Sequence, residues 1–247
     1  MSSFKENIDP NKMPRHVAVI MDGNGRWARN KGAARIFGHR NAIQAVKDVT
    51  EGCGELGIKY LTLYAFSTEN WSRPKDEVDG LMELLVNTLQ KEIKTLLDND
   101  VKLVTIGDIN HLPVDCQRNL ASAKEATQNN TGLRMILALS YSGRWELVQA
   151  MRKMALQVQQ GKLSPDDIDE KKISDLLETA GVPDPELLIR TSGEMRVSNF
   201  LLWQIAYTEL YITHKLWPDF RKEDLYEAIW AYQQRERRFG NVLDPAV

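Results

Sequence analysis

Short apolar runs rich in β-branched residues recur along the chain at positions 17–21, 60–66, 101–106, 134–140, 186–190 and 209–213. Continuous runs of this length, without polar alternation, predict strands buried on both faces. The segments between them carry a longer period. Within 77–98, Val78, Leu81, Met82, Leu85, Leu89, Ile93, Leu96 and Leu97 recur at helical spacing, which predicts a helix with a wide apolar stripe. Weaker patterns of the same kind predict helices over 41–56, 113–128, 144–160, 169–180, 199–206 and 222–239. Strands alternating with helices predict an α/β fold, a single domain whose mostly parallel central sheet of about six strands is flanked by helices. At 1.5 Å per residue the 77–98 helix would be ~30 Å long. Its stripe therefore either packs flat on the sheet or lines a deep apolar channel.

In open parallel sheets, ligands bind beyond the carboxyl ends of the strands. The residues following each apolar run therefore sample the site. Asp22, Gly23, Asn24, Gly25, Arg26 and Trp27 follow the first run; Ser67, Thr68, Glu69, Asn70, Trp71 and Arg73 follow the second. Gly107 and Asp108 follow the third, Tyr141, Arg144 and Trp145 the fourth, and Thr191, Gly193, Glu194, Arg196, Val197, Ser198 and Asn199 the fifth. Glycines, arginines, tryptophans and small hydroxyl or amide residues thus gather at one predicted edge, the pattern of a polyanion site. Tryptophans beside polar loops suit a cavity with apolar walls and a polar mouth.

Composition narrows the partners. In 247 residues, 32 Lys+Arg face 34 Asp+Glu for a net charge of −2, and 43% of residues are hydrophobic. This excludes a disordered chain and argues against a general nucleic-acid coat, which would carry a large basic excess. No apolar run approaches the ~20 residues that span a bilayer, and positions 1–16 show no export signal, so a cytoplasmic protein with at most peripheral membrane contact is expected. Two cysteines, Cys53 and Cys116, make neither a disulfide framework nor a four-thiolate metal site. The near-neutral average conceals one imbalance. Between Asp22 and Asp48 there is no acid, while Arg26, Arg29, Lys31, Arg35, Arg40 and Lys47 all lie there. Such a run is either a solvated helix face or a site for an anion.

The neighbouring residues favour the anion. Gly23, Asn24 and Gly25 can present successive backbone N–H groups at a strand-to-helix turn, and Arg26, Arg35 and His39 can add charge-assisted hydrogen bonds. Asp22 beside such a loop opposes an anion unless Mg²⁺ bridges carboxylate and phosphate; otherwise it is a turn aspartate. Gly23, Gly25 and Ala28 also match the dinucleotide fingerprint G-x-G-x-x-A, a second reading that lacks the carboxylate expected about 20 residues later at the next strand's end. Arg190, Arg196 and Ser198 form a second anion cluster, with Asn199 placed to cap the predicted 199–206 helix. Glu209, opening the last strand, is a candidate metal partner for Asp22. The segment 67–79 has the composition of a mobile lid, in which Ser67 and Asn70 could position a proton. P-loop, H-E-x-x-H and G-x-S-x-G motifs are absent, and the four histidines lack metal-ligand spacing.

Six blocks carry a family resemblance: HVAVIMDGNGRWA (16–28), GHRNA (38–42), YAFSTENWSRP (64–74), SYSGRWELV (140–148), IRTSGEMRVSNFLLWQ (189–204) and TELYITHKLWPDF (208–220). In this order, over positions 16–241, they resemble the cis-prenyltransferases. The departures are small: Ser142 and Ser192 stand where glycine is frequent, and Met195 where some members have histidine. The resemblance implies a catalytic domain over 16–241 between tails 1–15 and 242–247, enclosing an apolar channel. It implies repeated cis-condensation of isopentenyl diphosphate onto farnesyl diphosphate with Mg²⁺, giving a long polyprenyl diphosphate such as the undecaprenyl carrier of cell-wall synthesis. It further implies that Asp22 and Glu209 bind the metal, and that Gly23, Asn24, Gly25, Arg26, Trp27, Arg35 and His39 hold the allylic substrate. Arg190, Arg196, Val197 and Ser198 would hold isopentenyl diphosphate. Asn70, with Ser67 and His39, would serve proton removal, and Thr68, Glu69, Trp71, Arg73 and Glu77 would belong to the lid. Arg238 and Gly240 would approach the site of a partner in a homodimer. A catalytically silent synthase subunit is the alternative within the family, and a dinucleotide-binding protein the alternative outside it.

Overall fold

The computed structural model describes residues 3–237. Six strands form one sheet: β1 (His16–Ile20), β2 (Tyr60–Ser67), β3 (Lys102–Ile106), β4 (Arg134–Tyr141), β5 (Leu187–Arg190) and β6 (Glu209–Ile212). Their order is β3-β4-β2-β1-β5-β6, with every neighbouring pair parallel. The six apolar runs thus become the six strands, and the parallel sheet follows from their lack of polar alternation.

Side chains alternate across the sheet. Val17, Val19, Leu61, Leu63, Leu103, Met135, Leu137, Leu187 and Ile189 join the larger core with four helices: α2 (Arg35–Glu55), α3 (Lys75–Asp98), α4 (Val114–Ala126) and α7 (Lys222–Gln233). Ala18, Ile20, Ile106, Ile136, Ala138 and Leu188 form a smaller cluster with Tyr141, Phe200 and Leu201. The remaining helices are α1 (Asn24–Asn30), α5 (Gly143–Gln159) and α6 (Glu170–Ser174). Positions 3–15, expected as a tail, pack onto α7: the Phe4 ring meets Trp230, Asp9 N–H donates to Gln233, and Ile8 and Met13 reach the core. Positions 238–247, including the tail 242–247, Arg238 and Gly240, lie outside the described residues.

Four helical expectations need correction, the simplest being the 222–239 helix, which as α7 ends at Gln233. The stretch 199–206 is a series of turns, because Ser198, Asn199 and Leu201 all have positive φ (48°, 61° and 47°), which no α-helix tolerates. Asn199 instead supports α5, accepting from Arg144 N–H through Oδ1 at 3.0 Å and from Gly143 N–H through its carbonyl at 2.6 Å. The 169–180 helix shrinks to α6, capped by Asp169. Conversely α2 begins at Arg35, six positions earlier than the pattern indicated, so Arg35 and His39 ride on its first two turns. Its Gly38 permits this: a Cβ there would lie 2.0 Å from the Asn24 carbonyl oxygen, so only glycine lets α1 and α2 cross.

Candidate active site

The strand register decides which side chains meet. Ile20 pairs with Arg190 at the carboxyl ends of β1 and β5, so the loop after β1 and the segment after β5 face each other. Asp22 N–H donates to Thr191 Oγ1 at 2.9 Å, and Thr191 donates back to the Asp22 carbonyl at 2.6 Å. Gly23, at φ 108°, turns the chain into α1 and donates its N–H to Asp22 Oδ1 at 2.7 Å. The first turn of α1 leaves the N–H groups of Asn24, Gly25 and Arg26 without intrahelical acceptors.

Arg190 is 3% exposed and joins the two segments. Its Nη2 donates to Asp22 Oδ2 at 2.8 Å, and its Nη1 to Ser198 Oγ at 2.8 Å and to the Arg196 carbonyl. Burial opposes ionisation of Asp22, but the hydrogen bonds from Arg190 and Gly23 and the charges of Arg190 and Arg26 outweigh it and hold the carboxyl below its usual range. Arg26 donates to the Ser192 carbonyl at 3.1 Å, to Ser192 Oγ at 2.6 Å and to Glu194 at 2.8 Å; Glu194 also pairs with Arg196. Sequence alone assigned no role to Thr191, Ser192 or Glu194.

On the other side, Arg35 and Arg73 share Glu77 at 3.4 Å and 3.1 Å. His39 lies between them and Asn24, whose Nδ2 is 3.4 Å from His39 Nδ1. Burial, reinforced by Arg73 and Arg35, pushes His39 down to about 4, so its ring is neutral. His39 Nε2, Asn24 Oδ1 and Arg190 Nε are buried without a hydrogen-bond partner. Such orphaned groups around one cavity mark a place that a ligand completes. Ser67 N–H donates to Asn70 Oδ1 at 3.1 Å, and the Ser67 side chain accepts from Asn70 N–H, closing a capping box. The segment expected as a lid is a turn of 3₁₀-helix, 68–72, running into α3 and tied down by Trp71 Nε1 to Ser140 Oγ (2.9 Å) and by Asn199 Nδ2 to Glu69 (2.8 Å).

From this mouth a cavity of about 1000 Å³ runs beneath α2 and α3 over β1, β2 and β4. Asp22, Gly23, Asn24, Gly25, Arg35, His39, Ser67, Glu69, Asn70, Arg73, Arg190, Arg196 and Ser198 line its polar end. Ile43, Val46, Leu63, Leu81, Leu85, Leu137 and Leu139 line its apolar length. The α3 stripe therefore does both of its expected jobs, packing at Val78 and Leu96 and lining at Leu81 and Leu85. Arg26 lines an adjoining pocket of about 470 Å³ that shares Asp22, Gly23, Gly25 and Arg35.

These features have close counterparts. The family model describing undecaprenyl diphosphate synthases matches residues 20–240. An isoprenyl transferase of Chlorobaculum tepidum is 54% identical over 94% of this chain and 88% of its own. The (2E,6E)-farnesyl-diphosphate-specific ditrans,polycis-undecaprenyl-diphosphate synthase of Pasteurella multocida is 52% identical over 95% of this chain and 98% of its own. The chain belongs to the isoprenyl transferase family. Solved structures agree with the assignment. Lavandulyl diphosphate synthase from Lavandula x intermedia, in complex with dimethylallyl diphosphate, superposes with a TM-score of 0.91 at 41% identity, covering 93% of this chain and 99% of the other. A probable undecaprenyl diphosphate synthase of Campylobacter jejuni gives 0.77 at 33%, covering 92% and 98%. The dinucleotide reading is displaced.

Within this isoprenyl transferase, several expected placements change. Leu187 pairs with both Val17 and Glu209, so Glu209 lies level with Val17, ~16 Å before Asp22 along the sheet at about 3.3 Å per residue. It pairs there with Arg235 at 2.8 Å. Asp22 and Glu209 of one chain therefore do not share a cation. Trp27 bonds Asp219 at 2.8 Å and stacks on Phe37, Trp71 packs edge-on against Phe66 and His111, and Trp203 bonds Ser174. Neither Trp27, Trp71, Trp145, Trp203, Thr68 nor Val197 lines the cavity; Trp217 does. Ser192 has φ 76°, which explains why glycine suits that position, and Met195 is 88% exposed, outside the site. Among the described residues no group of three or more His, Cys, Asp or Glu could cage a metal. Asp22 alone fits Mg²⁺ in its usual mode, one or two carboxylates completed by phosphate oxygens and water.

Proposed function

We propose that this isoprenyl transferase adds isopentenyl diphosphate repeatedly to farnesyl diphosphate in a Mg²⁺-dependent reaction, and that its product is a long-chain polyprenyl diphosphate of the undecaprenyl class. One observation carries the reading: an arginine-rich mouth at the strand ends opens into a long apolar cavity beneath α2 and α3. The mouth suits diphosphates and the cavity suits a growing hydrocarbon chain.

The free N–H groups of 24–26, with Arg26, Arg35, Arg73 and neutral His39, hold the allylic diphosphate, and Gly23 shapes the turn that presents them. Arg190, Arg196 and Ser198 hold the isopentenyl diphosphate. Asp22 would hold Mg²⁺, which when bound supplies positive charge to the departing diphosphate. As the allylic C1–O bond breaks, negative charge grows on that diphosphate, and the arginines and main-chain N–H groups, already fixed by Ser192, Glu77 and α1, stabilise it without reorganising. The double bond of isopentenyl diphosphate attacks C1, and a proton leaves its C2. Asn70, fixed by Ser67, orients the group that loses this proton, and neutral His39 is free to accept one. A homodimer in which Arg238 and Gly240 approach the partner's site, acting in the cytoplasm with peripheral membrane contact, completes the proposal. No helix among the described residues is long and apolar enough to cross a membrane.

The test is incubation with radiolabelled isopentenyl diphosphate, farnesyl diphosphate and Mg²⁺, followed by chain-length analysis. Products extended by many five-carbon units support the proposal. Absence of any condensation would identify the silent-subunit alternative.

A further inference from the structure

The wall of the cavity changes character along its length. On α2 the lining residues Ala42, Ile43 and Val46 are followed by Lys47, Thr50 and Glu51. On α3, the lining residues Leu81, Leu84, Leu85 and Leu89 are followed by Glu92 and Thr95, with Leu96 the last apolar residue of the helix to line. Both helices bring a charge to the cavity wall at the same depth, because Lys47 Nζ and Glu92 Oε1 meet across the gap at 2.8 Å. Among the described residues two ion pairs tie α2 to α3. Arg35 to Glu77 lies at the mouth and Lys47 to Glu92 lies ~18 Å further along α2 at 1.5 Å per residue. The sheet wall stays apolar past this point, with Met135, Leu133 and Val101 all lining.

A steric floor is therefore not what distinguishes the inner end. Space continues past the pair, lined by Glu51, Glu55 and Asn99, while apolar cover from α2 stops and that from α3 thins to Leu96. The two charges are partly wetted, Lys47 at 36% and Glu92 at 19% side-chain exposure. An apolar chain advancing between them would strip that remaining water and separate or bury the pair, which is unfavourable. Glu51 and Glu55 are drawn outward by Lys222, each at 2.8 Å, so they do not neutralise the pair from behind.

We infer that the Lys47–Glu92 ion pair is the product-length stop of this enzyme, ending elongation by charge and not by bulk. The inference rests on the elongation reading above. Lys47→Met/Glu92→Met keeps both side chains near their original length while removing the charges. Under the conditions of the elongation assay, this variant is expected to shift its main product longer by at least one five-carbon unit. The exchanged pair Lys47→Glu/Glu92→Lys is expected to retain the wild-type length. The same main product from all three proteins would overturn the inference in favour of a steric floor. Longer products from the exchanged pair would overturn it too. Should the double methionine variant fail to melt cooperatively, the uncharged Lys47→Gln/Glu92→Gln carries the same comparison. A wild-type protein that makes no extended product overturns the elongation reading itself.

Discussion

Arg190 and Asp22 are held together at the mouth by a 2.8 Å hydrogen bond between Nη2 and Oδ2, with the arginine 3% exposed and the aspartate side chain 33% exposed. The partly wetted carboxylate neutralises an otherwise buried cation while keeping one face toward the cavity. Structure and chemistry therefore load onto the same residue. Asp22→Ala should lower turnover by on the order of 10²-fold or more, the scale of losing one group that stabilises developing leaving-group charge. Steady-state kinetics across a Mg²⁺ titration check this, with circular dichroism confirming the fold. Undiminished, Mg²⁺-responsive activity would remove Asp22 from the metal site.

The two arginines of the second cluster separate function from stability. Arg190→Ala and Arg196→Ala should each raise KM for isopentenyl diphosphate about tenfold or more, roughly 1.4 kcal/mol of lost binding, with a smaller change for farnesyl diphosphate. Only Arg190→Ala should also lower the melting temperature, because Arg196 is 60% exposed and the Arg190 guanidinium is buried. Opposite KM ordering would mean that the two diphosphate positions are exchanged.

Gly38 tests the crossing of α1 and α2. Gly38→Ala places a Cβ 2.0 Å from the Asn24 carbonyl, and the required shift should destabilise by about 1–3 kcal/mol as overpacking does. It also moves Asn24 relative to His39, so activity should fall further than stability. Gly54→Ala, with nothing within 4 Å of its added methyl, should be neutral or stabilise by about 0.5–1 kcal/mol. Urea unfolding of both variants makes the comparison.

His16 provides a pH signature. Its Nδ1 lies 2.6 Å from the Pro183 carbonyl and its Nε2 2.7 Å from Thr62 Oγ1, so the neutral ring donates to the first and accepts from the second. Burial lowers its pKa to about 4 despite the Pro183 bond. The unfolded chain then binds a proton that the folded chain refuses, so stability is complete above about pH 6.5 and is lost as pH falls toward 4. The full loss is on the order of 3 kcal/mol at 1.36 kcal/mol per unit. His16→Gln should make the stability profile shallower between pH 4 and 6.5, the remaining slope there coming from His39, whose pKa is lowered to about 4 as well, as measured by denaturant titration. A profile as steep as the wild type's would assign that dependence to other groups.

The strands were legible because burial on both faces leaves a plain signature: six continuous apolar runs gave six parallel strands and placed Asp22, Ser67 and Arg190 at one edge. The start of α2 was not, because Gly38 reads as a turn residue until the Asn24 carbonyl is known to pass beside it. The 199–206 segment has helical spacing, yet the positive φ values around it serve α5 and the Arg190 cluster, a tertiary demand invisible locally. Glu209 and Asp22 looked like partners because both adjoin strands. From sequence Glu209 opens a strand and Asp22 follows one; only the parallel β1–β5–β6 register shows how far apart that leaves them. Tryptophans near polar loops suggested cavity walls, whereas the N–H groups of Trp27, Trp71 and Trp203 satisfy side-chain oxygens of Asp219, Ser140 and Ser174.

The proposed anion-binding groups ride on strand ends while the apolar wall recedes ~22 Å along α3, from Leu81 to Leu96, at 1.5 Å per residue. In the proposed cycle the reacting head returns to a fixed place, and the tail does all the travelling. Each five-carbon unit drawn inward leaves water with a gain on the order of 4 kcal/mol, at ~0.8 kcal/mol per CH₂-sized group. Backsliding would cost as much. The cavity therefore behaves as a one-way track whose step is a single isoprene unit, and the chemistry at the mouth need supply no force of its own to move the chain.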